Sequence, residues 1–215
     1  MTTGGASEAR QGIVAPEIAE ELPGLAIHWT VVAGGDGDTP AGLAERLRQL
    51  SNGYRGAAVV AMRTKPVPAA YRVFFRQIGL DPDETRIPSE AAALSRLFHG
   101  AFRPRGLVAD ALLIALLETG VPVWALDAAR VQTERLGIRS AAPQERLDDR
   151  SLADGTLVIA DDERVHAVLF GEQAAGSQVS RQTTQIVLVS VSVAGVPRIH
   201  VDEAFWLAVE GLSQR

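Results

Sequence analysis

The sequence contains no cysteine, a single lysine (Lys65), and only 5% aromatic residues among its 215 positions. Without cysteine there is no disulfide, no thiolate nucleophile and no sulfur-ligated zinc site. No apolar run reaches bilayer-spanning length, the nearest being Val108 to Leu117. The first residues, MTTGGASEARQG, have neither a basic start nor an apolar core, so they do not read as a secretory signal. A cytoplasmic protein without membrane contact is the expectation. Positive charge is also scarce. The net charge of −5 makes the surface as a whole repel a phosphate backbone, so DNA is not expected as a partner, and any RNA contact must come from local arginines.

What the chain does have is apolar residues, 47% of the total, enough for one large core. Residues 1–13 carry Gly, Thr, Ser and charge without periodicity and read as a disordered arm, with a single domain over 14–215. Pro16 opens a short helical turn, and LAIHWTVVA, from Leu25 to Ala33, reads as a buried strand. GGDGDTP is a turn, since it lacks the Gly-Lys-Ser/Thr ending of a phosphate loop. Asp38 or Thr39 is placed to cap the next helix, whose Leu43, Leu47 and Leu50 share a face.

AAVVAMR is too short for its periodicity to separate helix from strand. In PVPAAYRVFFRQIG, Val67, Ala70, Phe74 and Ile78 form a helical stripe, with Arg72 and Arg76 on another face. DPDETRIPSEAAALSRLFHG, from Asp81 to Gly100, then packs an acidic loop, Arg86, a Ser89 cap, Glu90 at the dipole's positive end and a Gly stop into one stretch. Its Leu94, Leu97 and Phe98 are expected to face the core. A basic loop, FRPRG, leads to a helix near Asp110 that is apolar nearly all round. Beyond Gly120 come VPVWALD, GIRSAA, TLVIADD, VHAVLFGE and TTQIVLVSVSV, spaced as mainly antiparallel strands, and VDEAFWLAVEGL closes the chain as a helix. Helices first and strands second predict an α+β fold.

His28, His99, His166 and His200 are scattered without metal-ligand spacing, and no GxSxG or SxxK nucleophile motif occurs. No metal site or cofactor is therefore expected. A polar constellation remains in apolar surroundings: Arg86, Ser89, Glu90, Asp110, Asp127, Thr183 and Ser190. A carboxylate near an arginine there serves equally as a substrate clamp or as an internal ion pair. Trp124 walls a pocket or fills the core.

DETRIPSEAAALSRLF, the pattern D-x(9)-G-x-P-V-x-x-x-D from Asp110 to Asp127, LGIRSAAPQE, TLVIADDE, and S-x-V-x-x-x-T-x-x-I-x-L from Ser177 to Leu188 carry a resemblance. In this order, from about Val14 to the last helix, they resemble the tRNA-editing B3/B4 domain of the phenylalanyl-tRNA synthetase beta subunit, in the form of small free-standing proteins. The resemblance implies a three-layer α+β core, a pocket for an amino acid esterified to a tRNA end, and hydrolysis of mischarged tRNA. In that family, editing leans on a threonine, a histidine and a glutamate, which here fall on Leu112, Trp124 and Val189, or Ser190 one register on. Leu113 stands where asparagine is common, whereas Asp110, Asp127 and Gly171 match.

An apolar trio neither positions a water nor stabilises an oxyanion, and specificity for a tyrosine hydroxyl needs a polar partner. The resemblance thus implies a trans-acting deacylase for a more apolar amino acid, or a noncatalytic module binding tRNA, a small molecule or a protein. Substrate contacts are expected from Arg86, Ser89, Glu90, Asp110, Trp124 and Gly171, with Arg103 and Arg105 on the tRNA. The catalytic residues and the oligomeric state are left open.

Overall fold

The computed structural model describes residues 8–214. Its elements in chain order are β1 (Arg10–Gln11), β2 (Ile13–Val14), α1 (Pro16–Glu21), β3 (Ala26–Ala33), α2 (Ala41–Gly53), α3 (Gly56–Met62), α4 (Pro66–Gln77), α5 (Pro88–His99) and α6 (Leu107–Thr119). There follow β4 (Val123–Asp127), β5 (Gly137–Ser140), β6 (Arg146–Leu147), β7 (Arg150–Ser151), β8 (Leu157–Ala160), β9 (Val165–Val168), β10 (Gln185–Ser192) and α7 (Arg198–Leu212).

The first sheet has the order β1-β3-β10-β4, antiparallel throughout, with Val189 opposite both Trp29 and Trp124. The second, β2-β5-β8-β9, is antiparallel except for the β2–β5 pair. Strand β10 is buried from Ile186 to Ser192, so both faces of the first sheet are covered, which makes it a middle layer. Helices α6 and α7 pack on one face. Ile138, Ile159 and Ala167 of the second sheet join the same core cluster from elsewhere in the fold. This is a single α+β architecture with mainly antiparallel strands.

Several local expectations need correcting. Arg10 pairs with Trp29, and the Gly12 N–H donates to the Ile27 carbonyl at 2.9 Å, so the ordered chain starts earlier than Val14. The remainder of the expected arm, residues 1–7, lies outside the described residues. AAVVAMR is helical, as α3. Neither Asp38 nor Thr39 caps α2, whose flanking residue is Pro40, because each side chain is engaged elsewhere: Asp38 with Arg181, Thr39 with Asp110. Ser89 is no cap either. Pro88 pre-sets the helical φ and starts α5 one residue earlier, leaving Ser89 inside the first turn. Leu97 and Phe98 are exposed, Phe98 by 85%, because α5 buries its Ser89, Glu90 and Ala93 side instead.

Candidate functional site

A cleft of about 920 Å³ opens between α5, α6 and the start of β4. Helix α5 contributes Pro88, Ala91, Ala92, Ser95 and His99. At 100° per residue these lie within about 60° of one direction, while Glu90 points the opposite way. Helix α6 presents Ala109, Leu112, Leu113 and Leu116 by the same periodicity, and Trp124, Phe170 and Gly171 close the far wall. The lining is therefore apolar apart from Ser95, His99 and a rim of Arg103 and Arg105.

That rim is held by the sequence in a specific way. Gly100 (φ 80°) ends α5 and Gly106 (φ 135°) precedes α6, two backbone conformations that disfavour a side chain. The Asp110 carboxylate, fully buried, accepts from the Arg105 N–H at 3.1 Å and from the Thr39 hydroxyl at 2.5 Å. Asp36 accepts the Val108 N–H at 3.1 Å, and the Leu107 N–H donates to the Gly37 carbonyl. The turn at 34–40 thus clamps the loop that carries Arg103 and Arg105. Both guanidinium groups are exposed, and neither forms an ion pair among the described residues. Most other arginines are paired, including Arg46 with Glu118, Arg139 with Glu145 and Arg198 with Asp202.

The expected site residues divide accordingly. Trp124, Gly171, Arg103 and Arg105 all line the cleft. Gly171 does so from the tight turn after β9 rather than from a strand, with its N–H donating to the Val168 carbonyl. Asp110 lies beneath the rim and organises it instead of forming a pocket floor. Arg86, Ser89 and Glu90 are not among the lining residues. Glu90, buried, accepts from Arg72 with both oxygens at 3.0 Å, and Arg72 also reaches Asp83 at 3.0 Å. Arg86 donates to Asp83 at 3.1 Å. This cluster ties the acidic loop to α4 and α5, so the internal ion pair, not the substrate clamp, describes Glu90. Ser89 borders a separate recess of about 300 Å³ with Tyr54, Lys65 and His200; its buried hydroxyl has no hydrogen-bond partner among the described residues.

The profile of the B3/4 domain matches residues 70–200. The chain belongs to the B3/4 domain family. Among its curated relatives are beta subunits of phenylalanine–tRNA ligase. That of Anaeromyxobacter dehalogenans is 34% identical over 108 residues, covering 48% of this chain and 14% of the relative. That of Moorella thermoacetica is 28% identical over 191 residues, 85% of this chain and 21% of the relative. That of Bacillus cereus is 25% identical over 177 residues, 80% and 21% respectively. The chain spans about a fifth or less of the length of these relatives.

Within this B3/4 domain, Leu112, Leu113 and Trp124 all face the cleft, whereas Val189 is buried in β10 opposite Trp124. Ser190 donates to the Pro122 carbonyl at 3.0 Å, and Thr183 to Asp127 at 2.8 Å; both therefore fasten strand ends. Sequence reasoning missed Phe170. This residue has φ 58°, and its ring lies 5.5–5.8 Å from those of Tyr71, Phe74, Phe75 and Trp124. Strain at a non-glycine turn leaves no local signature in residue type. Arg72 was also missed as the partner of Glu90, although both were visible as charges in apolar helices.

Two further polar groups are structural. His166 contacts Ser177 Oγ at 2.8 Å and Asp161 at 2.9 Å, but all three are buried and outside the cleft lining. Burial works to raise the Asp161 pKa, but N–H donors from Gln132, Glu163 and Arg164 and the His166 bond outweigh it and hold the carboxyl below its ordinary value. Burial, with the nearby Arg198 charge, lowers His28 to about 4, which keeps the ring neutral. Among the described residues no group of three His, Asp or Glu side chains is arranged to hold a metal, and no helix is long and apolar enough to cross a membrane.

Proposed function

We propose that the cleft receives the aminoacyl end of a charged tRNA and that the protein hydrolyses the ester, releasing a noncognate amino acid with an apolar side chain. The observation that carries this reading is the pairing of an apolar cleft with two exposed, unpaired arginines at its rim, in a protein of net charge −5. Arginine's fork suits phosphate oxygens, and two cations together at the mouth of an apolar cleft set the orientation of a strand end. Leu112, Leu113, Leu116, Trp124 and Phe170 supply walls that favour an apolar side chain. Kinship with subunits named for a tRNA ligase supports tRNA as the partner.

A noncatalytic binding module is the second reading, favoured by the apolar Leu112 and Trp124 and by a lining without any carboxylate. Purified protein incubated with tRNAs charged with leucine, isoleucine, methionine, valine or phenylalanine separates the two. Ester loss above the buffer rate is expected for at least one pairing. Loss at the buffer rate for every pairing rejects the deacylase, and filter retention of the tRNA then supports the module.

A further inference from the structure

The cleft lining holds one histidine, His99, and no carboxylate. Arg103 and Arg105 remain cationic, Ser95 is a neutral hydroxyl, and every other lining residue except His99 lacks a basic atom. His99 stands in the last turn of α5, on the helix face directed at the cleft, and is exposed. Its Nδ1 lies 2.8 Å from the Ser95 carbonyl oxygen, the shorter of its contacts, and 3.4 Å from Ser95 Oγ. A carbonyl only accepts, so Nδ1 carries the hydrogen and donates it. In the neutral ring this leaves the lone pair on Nε2, which has no hydrogen-bond partner among the described residues. A ring anchored through one nitrogen with the other free to accept, in reach of the cleft, is what a general base requires. The nearby fixed charges are Arg103 and Arg105 in the lining and Arg96 on the same helix, the last bound to the Ser51 carbonyl at 2.9 Å.

We propose that His99 is the general base of the hydrolysis, an imidazole delivered from α5 in a cleft whose far wall carries Trp124. This rests on the deacylase reading. In the step, His99 Nε2 takes a proton from a water whose oxygen bonds to the ester carbonyl carbon. The tetrahedral adduct then breaks its bond to the ribose oxygen, which takes the proton from the imidazolium. Free tRNA and a carboxylic acid result, and the acid loses its proton to solvent.

The test uses the full chain and whichever aminoacyl-tRNA of the panel the wild type hydrolyses. For His99→Ala and His99→Gln, kcat is expected to fall ~10²–10⁴-fold with KM and filter retention unchanged within about threefold. Added imidazole is expected to restore part of the His99→Ala rate, beyond its effect on wild type and on buffer alone. A rate for both variants within about threefold of wild type overturns the assignment while leaving the deacylase standing, as does a loss that appears in KM and retention instead of kcat. A wild type inactive on every tRNA overturns both.

Discussion

Helix α5 carries two opposite arrangements of charge on its two sides. On the side of Glu90, Arg63, Arg72 and Arg86 each reach Asp83 or Glu90 within hydrogen-bonding distance, so every guanidinium there has a carboxylate partner. On the cleft side, Arg103 and Arg105 are held in place through backbone clamps while their guanidinium groups meet no carboxylate among the described residues. A guanidinium already paired with a carboxylate has less to offer a ligand. The exposed, unneutralised pair is where an anion gains most, and it is the less conspicuous of the two in the sequence.

The contrast is sharpened most by Glu90→Ala, which takes from the buried Arg72 guanidinium its buried carboxylate and leaves it only the exposed Asp83. We expect a loss of about 3 kcal/mol in unfolding free energy by chemical denaturation, with tRNA retention by the folded protein unchanged. Weakened retention of the folded variant at full occupancy would mean that the two sides are not separate. Asp110→Ala should touch both measurements: about 2 kcal/mol of stability from the freed Arg105 and Thr39 donors, and a several-fold weaker tRNA affinity as the rim loosens.

The double variant Arg103→Ala/Arg105→Ala is expected to lower tRNA affinity about tenfold, equivalent to ~1.4 kcal/mol. It should also reduce the salt slope by about 1.4, with melting unchanged. An unaltered salt slope would move the RNA contact elsewhere. Acid should weaken the opposite side of α5, where the Arg72 guanidinium beside Asp83 holds that carboxyl below the usual carboxylate range. A depressed folded-state pKa contributes stability above the unfolded value near ~3.9 that is lost as pH falls through the folded one. Asp83→Asn should therefore make the acid limb of a denaturation series shallower, Asp161 and Glu145 still contributing to it. Smallest of all, Arg86→Ala removes one exposed pair and should change stability by no more than about 0.5 kcal/mol and ester loss not at all.

The architecture was largely legible. Runs such as LAIHWTVVA and TTQIVLVSVSV declare β3 and β10 by β-branched content, and Leu43 and Leu47 declare the buried face of α2. Half of the site was legible too, through Trp124, Gly171 and the FRPRG loop. What failed was partnership across the chain. Glu90 finds Arg72 eighteen positions away on another helix, so the residue looks available until packing is known. Leu97 and Phe98 have core-like side chains, yet which side of α5 is buried depends on α3 and α6, not on α5 itself. His99 read as one of four unremarkable histidines because a tautomer depends on a carbonyl one turn back, which residue type does not encode.

Phe170 joins the two halves of the molecule differently. Its ring is at once the inner wall of the cleft and a neighbour of Tyr71, Phe74 and Phe75 in the interior. Reshaping the cleft from that wall therefore means reshaping the interior. A lineage retuning its ligand at this position would have to accept a lower melting temperature or repack α4 at the same time, whereas changes at Leu112 or Leu113 leave the ring contacts with Tyr71, Phe74 and Phe75 in place. Diversification of ligand choice in this fold is expected to run along α6 and to leave the aromatic wall alone.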